Sequence, residues 1–244
     1  MKKCISLLLC ALMLVCAVSC GDDPVKVYRT ATNEYYTADS YRIVAESSVQ
    51  YGEKVSALSF NFRYADGDWR LTQLMGDTTI MIATKVKDVI FTQLSESSDG
   101  HLKVRYKIDE TEERAMLRPW MAVLDVPELA GDDMTDAKLV GYSSYRSFTA
   151  TVNTARFDKY AENLLYTRNF TDVTDKVTVT EVTYTAKIDY NGVLTGIVVS
   201  AMASVLHTAG SVTPASFDVD LFFDTINSTH VNAPDDAAEY ISVD

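Results

Sequence analysis

Apolar residues occupy every second position along most of the chain after Ser40, the period that is typical of half-buried strands. The clearest case is the run from Leu58 to Tyr64, in which the intervening residues Ser59, Asn61 and Arg63 are polar. Asp66-Gly67 follows as a hairpin signal, because glycine accepts the positive φ of tight turns. Further strands are predicted at 79–83, from Val86 to Leu94 and at 102–108. This half of the chain therefore predicts an antiparallel meander with one apolar and one polar face.

Two segments in the middle of the chain follow a helical period instead. Residues 112–124 place apolar side chains three or four apart, although Pro119 must lie near the start of this helix or kink it. Residues 155–167 form the strongest helical pattern, preceded by Asn153 and Thr154 as candidate caps. Its predicted buried face consists of Phe157, Tyr160, Leu164 and Leu165.

The last third returns to strand. Residues 176–190 are rich in Thr and Val, and a phase shift before Val182 predicts a bulge near Glu181. Asn191-Gly192 is the strongest short hairpin signal in the chain. About ten strands and two or three helices are expected, hence an α+β fold that is predominantly antiparallel β. The predicted organisation is a lipoprotein signal peptide at 1–19, a tether and N-terminal helix at 20–39, and a single domain at 40–244.

The N-terminus has the layout of a bacterial export signal. Lys2 and Lys3 precede an apolar stretch, which ends in Ala17-Val18-Ser19-Cys20. This run resembles the lipobox of lipoproteins, which implies that Cys20 becomes the lipid-modified first residue. The alternative is an ordinary secreted protein with cysteines in its signal. The other three cysteines would leave with the signal, so neither a disulfide nor a cysteine metal site is expected. Residues 21–24 are expected to form a short solvated tether.

Charge narrows the possible partners. The chain carries 34 acidic and 22 basic residues, for a net charge of −12, and contains no basic run. Nucleic acid is therefore excluded as a partner, and an anionic membrane surface would repel the chain. Attachment to the membrane is expected through the lipid on Cys20, on the extracytoplasmic face of the cell membrane. The protein is expected to be a monomer.

Residues for catalysis are not grouped in any recognisable motif. His101, His207 and His230 show no metal-ligand spacing, and the motifs of zinc proteases, serine hydrolases and nucleotide-binding loops are absent. The acids between Asp109 and Glu113 are expected to open a helix, where the helix dipole favours them. We therefore expect a protein that is not an enzyme and needs no cofactor.

The order of elements resembles that of the LolA-like half-barrel lipoproteins, a group that includes the mycobacterial LppX and LprG type. The stretches that carry the resemblance are 184–196, a late hairpin with the pattern Ile-Asp-x-x-Gly-x-Leu, and 227–237, which runs into a Pro-acidic-Ala tail. The resemblance implies a strongly curved sheet with the helices on its concave side. It also implies a concave apolar face that holds lipid acyl chains.

Two functions remain open at this point. The first is binding of a lipid or another hydrophobic ligand, with a pocket between helix 155–167 and the sheet. The second is a non-enzymatic structural or protein- or glycan-binding module of the cell surface with a filled core. The sequence does not separate them, because a core and a cavity are lined by the same side chains. The candidate ligand-binding residues are Phe60, Phe62, Trp69, Leu71, Tyr106, Trp120, Phe157 and Leu164.

Lipidation of Cys20 can be tested directly in the bacterial host. Because the Cys20 thiol is the acceptor, Cys20→Ala should abolish incorporation of labelled palmitate. Cys16→Ala, which removes a thiol from the cleaved segment, should leave the labelling intact. Labelling that survives Cys20→Ala would contradict the assignment of the anchor.

Overall fold

Twelve strands form one sheet in the computed structural model, which describes residues 22–96 and 100–243. The predicted signal peptide and Cys20 lie outside these residues. The strands are β1 Ser40–Tyr51, β2 Lys54–Ala65, β3 Asp68–Met75, β4 Thr78–Val86, β5 Val89–Glu96, β6 Gly100–Lys107, β7 Met134–Gly141, β8 Arg146–Val152, β9 Lys176–Ile188, β10 Leu194–Leu206, β11 Val212–Ile226 and β12 Ile241–Ser242. The helices in the described residues are α1 Pro24–Tyr36, α2 Glu110–Leu124 and α3 Asp158–Thr167.

The strand order is β12-β6-β5-β4-β3-β2-β1-β11-β10-β9-β8-β7. Neighbours are antiparallel except β12, which pairs in parallel with β6. The sheet is curved and does not close, so the predicted α+β half-barrel is confirmed, with twelve strands rather than ten.

The register of the strands stacks apolar residues on one face of the sheet. Ile43 lies opposite Phe62, and Phe62 lies opposite Leu71. All three are almost fully buried, together with the inward residues of β9 to β11. This inner face is the concave side, and the three helices pack on it.

Helix α1 lies within residues 20–39, for which the sequence predicts a tether and an N-terminal helix. The Asp23 carboxylate accepts a hydrogen bond from the Val25 amide at 3.0 Å and caps the helix. Asp22 is paired with Arg146 at 2.9 Å. Asp22 and Asp23, which belong to the predicted tether, are both exposed, and these two contacts place them at the start of α1. Tyr28 of α1 stacks on Phe148 in the core.

Helix α3 follows the predicted pattern closely. A 3₁₀ turn at Thr154–Phe157 precedes it, and Asn153 accepts a hydrogen bond from the Ala155 amide at 3.2 Å. The buried face consists of Phe157, Tyr160, Leu164 and Leu165, as predicted. The Tyr160 hydroxyl donates to the Val123 carbonyl at 3.0 Å and connects α3 to α2. Burial raises the pKa of Tyr160, so the phenol stays neutral.

Helix α2 begins with a capping box. Asp109 accepts hydrogen bonds from the first turn, and the Glu112 carboxylate accepts one from the Asp109 amide at 3.2 Å. The helix-opening role predicted for these acids is confirmed. Pro119 lies well inside the helix rather than near its start, and it leaves the carbonyl four residues earlier without an intrahelical donor.

Most of the turns lie where the sequence predicts them. Asp66 and Gly67 adopt φ of 52° and 85° between β2 and β3, and Gly192 adopts 90° between β9 and β10. The register of β9 shifts beside Glu181, which confirms the bulge.

One turn was not predicted. Val86 ends β4 instead of beginning the next strand, because Lys87 adopts a φ of 58° and starts a turn. The Lys87 amide donates a hydrogen bond to the Asp68 carboxylate at 2.7 Å. The positive φ of this turn is thus adopted by a residue other than glycine.

The C-terminal residues 227–243, here called the C-terminal strap, cross the outer face of the sheet. The strap begins beside Ser40, whose carbonyl accepts from the Asn227 amide at 2.7 Å. Near its end Tyr240 packs edge-on against Phe91, and β12 extends the sheet beyond β6. No helix among residues 22–96 and 100–243 is long and apolar enough to span a membrane.

The packing of α3 makes a quantitative prediction. Leu164→Ala should lower the free energy of unfolding by about 2–5 kcal/mol, because it opens a cavity beneath the helix. Val173→Ala is the matched control, since Val173 is 73% exposed. Urea unfolding followed by circular dichroism measures both. Equal midpoints for the two variants would show that Leu164 is not part of a packed core.

Candidate functional site

A cleft of about 770 Å³ opens between helix α2 and the inner face of the sheet at β1 to β4. Its volume lies in the range of about 300–1,000 Å³ that small-molecule pockets occupy. The sheet contributes Tyr41, Phe62, Tyr64, Trp69 and Lys85, and the helix contributes Leu117, Arg118, Met121 and Ala122. Helix α3 reaches the cleft only through Asn163 and Thr167.

The sheet side of the cleft is an aromatic wall. Tyr41 lies opposite Tyr64, and Tyr64 lies opposite Trp69, so the register aligns three inward side chains across three strands. The rings of Tyr41 and Tyr64 stack with centroids 5.4 Å apart, and those of Phe62 and Trp69 are 6.4 Å apart. Burial, with a further contribution from Tyr64, raises the pKa of Tyr41 to about 12. The wall is therefore uncharged at neutral pH.

A partly buried ion pair holds α2 above this wall. Trp69 Nε1 donates to Glu113 Oε1 at 2.7 Å, and Lys85 Nζ lies 2.8 Å from Glu113 Oε2. Lys85 also donates to the Gly67 carbonyl at 3.2 Å. The Lys85 and Glu113 side chains are only 15% and 18% exposed. Trp69, Lys85 and Glu113 are here called the clamp. Because both carboxylate oxygens of Glu113 have donors, the clamp fixes the first turn of α2 relative to β3 and β4.

The mouth of the cleft carries charges of both signs. Arg118 stacks over the Tyr166 ring of α3 at 4.5 Å from its centroid, which holds the guanidinium at the rim. The other charged side chains that line the cleft are Lys87, Asp88, Glu110, Arg114 and Asp125. An apolar wall with a charged mouth suits a molecule with an apolar body and a polar end.

The structure brings two of the eight predicted ligand-binding residues to the cleft, Phe62 and Trp69. Phe60, Leu71, Phe157 and Leu164 lie in the packed core and are completely buried. Tyr106 and Trp120 are partly buried at the edge of that core and do not line the cleft. Helix α2 rather than the predicted helix 155–167 forms the facing wall.

Several cleft residues were not among the predicted ones. Tyr41 and Tyr64 share the inward phase of Phe62, so the strand alternation could have nominated them. Met121 and Ala122 depend on which face α2 presents, for which the sequence gives only a weak signal. The pairing of Lys85 with Glu113 could not be predicted from neighbouring residues in the sequence, because Lys85 lies on a strand and Glu113 on a helix.

His207 takes part in a hydrogen-bond cluster away from the cleft. Its Nδ1 lies 3.1 Å from Asp175 Oδ1, and its Nε2 lies 2.7 Å from the Tyr51 hydroxyl and 3.0 Å from Thr213 Oγ1. A hydrogen bond from the Asp172 amide, and then His207, lower the pKa of Asp175. The cluster connects the ends of four strands, which is a structural role for His207.

His230 is exposed, and the side chain of His101 is not among the side chains that the structure describes. Within the parts of the chain that the structure describes, no three His, Cys, Asp or Glu side chains are grouped to hold a metal ion.

Comparison with known proteins gives similarities of structure alone. No family model matches the chain, and no curated protein does. The lipoprotein LppX of Mycobacterium tuberculosis is similar at 12% identity and a TM-score of 0.43, over 86% of this chain and 98% of that one. A DUF1329 family protein from Desulfovibrio piger is similar at 13% identity and a TM-score of 0.26, over 83% and 94%.

A putative outer membrane lipoprotein-sorting protein domain from Vibrio parahaemolyticus is similar at 11% identity and a TM-score of 0.22, over 82% of this chain and 92% of that chain. All three similarities concern the fold. Two of the three carry names from the group that the sequence resembles, LppX and the lipoprotein-sorting proteins.

The clamp can be tested against a matched pair on the same helix. Glu113→Ala should lower the free energy of unfolding by about 1.5–3 kcal/mol, because it leaves the Trp69 indole N–H without its acceptor and the Lys85 ammonium with the Gly67 carbonyl but no carboxylate. Glu110→Ala breaks an exposed pair with Arg114 and should change stability by about 0.5 kcal/mol or less. Denaturant unfolding at constant salt measures both. Equal effects would mean that the clamp does not hold α2.

Proposed function

We propose that the chain is a lipid-anchored extracytoplasmic lipoprotein that binds a lipid or another hydrophobic ligand in the cleft between α2 and the sheet. The observation that carries this proposal is the uncharged aromatic wall of a cleft of about 770 Å³. Tyr41, Phe62 and Trp69 would contact the apolar part of the ligand. Burial of apolar surface supplies roughly 25 cal/mol per Å², so binding needs no catalytic residue.

The charged mouth supports an amphiphilic ligand. Lys87, Arg114 and Arg118 offer donors to an anionic end, and Asp88 and Asp125 accept from a cationic one. The ligand would lie with its apolar part against the wall and its polar end at the rim. The lipid on Cys20 would keep the protein at the extracytoplasmic face of the membrane, next to a source of such molecules.

A second candidate is a structural or protein- or glycan-binding module without a ligand. The observation that favours it is the packed core of the domain, in which Phe60, Leu71 and Phe157 are completely buried. In this case the cleft would be a surface depression, and the function would reside in a sheet edge or in the acidic surface.

The two tryptophans of the chain permit a direct binding test. Trp120→Phe leaves Trp69, in the wall of the cleft, as the only indole. Titration of this variant with a brominated fatty acid should quench the Trp69 fluorescence, because bromine quenches on contact. Introducing Met121→Glu should weaken the binding by about tenfold or more, since it buries a charge against the apolar chain.

Met202→Glu is the control, because Met202 is an exposed methionine on the outer face of β10. It should leave the affinity unchanged. Absence of saturable quenching, or equal affinities for the two glutamate variants, would reject the cleft and favour the second candidate.

A further inference from the structure

Three arginines lie side by side on the outer face of the sheet. Arg42 of β1 is directly opposite Arg63 of β2, and Arg63 is directly opposite Arg70 of β3. Like charges in directly opposed positions destabilise neighbouring strands. This arginine row (Arg42, Arg63 and Arg70) therefore weakens the sheet unless a negative charge offsets it.

The described residues supply few negative charges to the row. Arg42 is paired with Asp224 at 2.7 Å. The pKa of Asp236 in the C-terminal strap is lowered chiefly by its hydrogen bond from Lys103, and Arg70 makes the smallest contribution. Arg63 has no carboxylate within 4.0 Å among those residues. Burial, then Arg42 and Arg70, lower its pKa, and Asp224 offsets part of that shift. Since the chain as a whole carries a net charge of −12, the row is a local exception.

The row borders a depression of about 180 Å³ lined by hydrogen-bond donors. Besides the three arginines it is lined by Asn61 and Thr72, which lie opposite each other on β2 and β3. Arg42 Nε is buried and has no hydrogen-bond partner in the described part of the chain. The Nε atoms of Arg146 and Arg168 are unpaired in the same way, so the Arg42 nitrogen is one free donor beside the depression and does not by itself indicate a ligand.

We propose that the arginine row binds a phosphoryl group, either inorganic phosphate or the phosphate of a lipid head group. The planar guanidinium fork matches the oxygens of a phosphate and donates to two of them at once. Asn61 and Thr72 add neutral donors on the same side. The depression has room for one phosphoryl group rather than an acyl chain. This site lies on the opposite face of β1 to β3 from the hydrophobic cleft and is independent of it.

The proposal predicts an unusual combination of stability effects. In phosphate-free buffer, Arg63→Gln should melt at the same temperature as the wild type or higher, because it relieves the repulsion within the row. Saturating phosphate, exchanged for chloride at constant ionic strength, should raise the Tm of the wild type by about 2 °C or more and leave Arg63→Gln unchanged. Arg29→Gln removes the same charge from the exposed face of α1 and should keep the phosphate response.

Equilibrium dialysis of the full-length protein in non-ionic detergent distinguishes the two sources. Inorganic phosphate and monomeric dihexanoyl phosphatidic acid serve as probes. Tighter binding of the lipid that is lost in Arg63→Gln assigns a head group, and equal or tighter binding of inorganic phosphate assigns the free ion. Absence of saturable phosphate binding to the wild type, or an equal phosphate response in Arg63→Gln, would overturn the proposal.

Discussion

The apolar inner face of the sheet must be buried, and this requirement determines the rest of the structure. Strand alternation sends every second side chain to the same concave surface, and the described residues contain no cysteine that could stabilise it covalently. A sheet that does not close cannot cover this surface by itself. Helices α1 and α3 cover much of it through Tyr28, Phe157 and Leu164, which are completely buried.

Helix α2 meets the sheet in a different way. Its first turn is held by the pairing of Glu113 with Lys85 and Trp69. A buried ion pair is weak evidence for stability, because desolvation offsets much of the attraction. The cleft lies beside this ion pair, next to the aromatic wall. The same strands present arginines on their outer face, so the period of two gives β1 to β3 an apolar side and a cationic side.

Local signals in the sequence predicted local structure well. The inward phase of Phe60 and Phe62, the turns at Asp66-Gly67 and Asn191-Gly192, and the cap of α3 each depend on neighbouring residues. The cleft could not be predicted in the same way. Phe60 and Phe62 lie in the same alternation of apolar and polar residues, yet of the two only Phe62 lines the cleft. The position of α2 determines which inward side chains are covered by packed neighbours and which face the cleft. That position depends on contacts between residues far apart in the sequence, as does the pairing of β12 with β6.

The central claim is that the gap between α2 and the sheet holds an apolar molecule in the living cell. Native mass spectrometry of the protein purified from its own host, with the proposed lipid anchor removed by proteolysis, measures this most directly. The account predicts an additional mass of a lipid or similar amphiphile that organic extraction removes and that Met121→Glu no longer retains. A protein that repeatedly carries only its own mass, and takes up no added lipid, would contradict it.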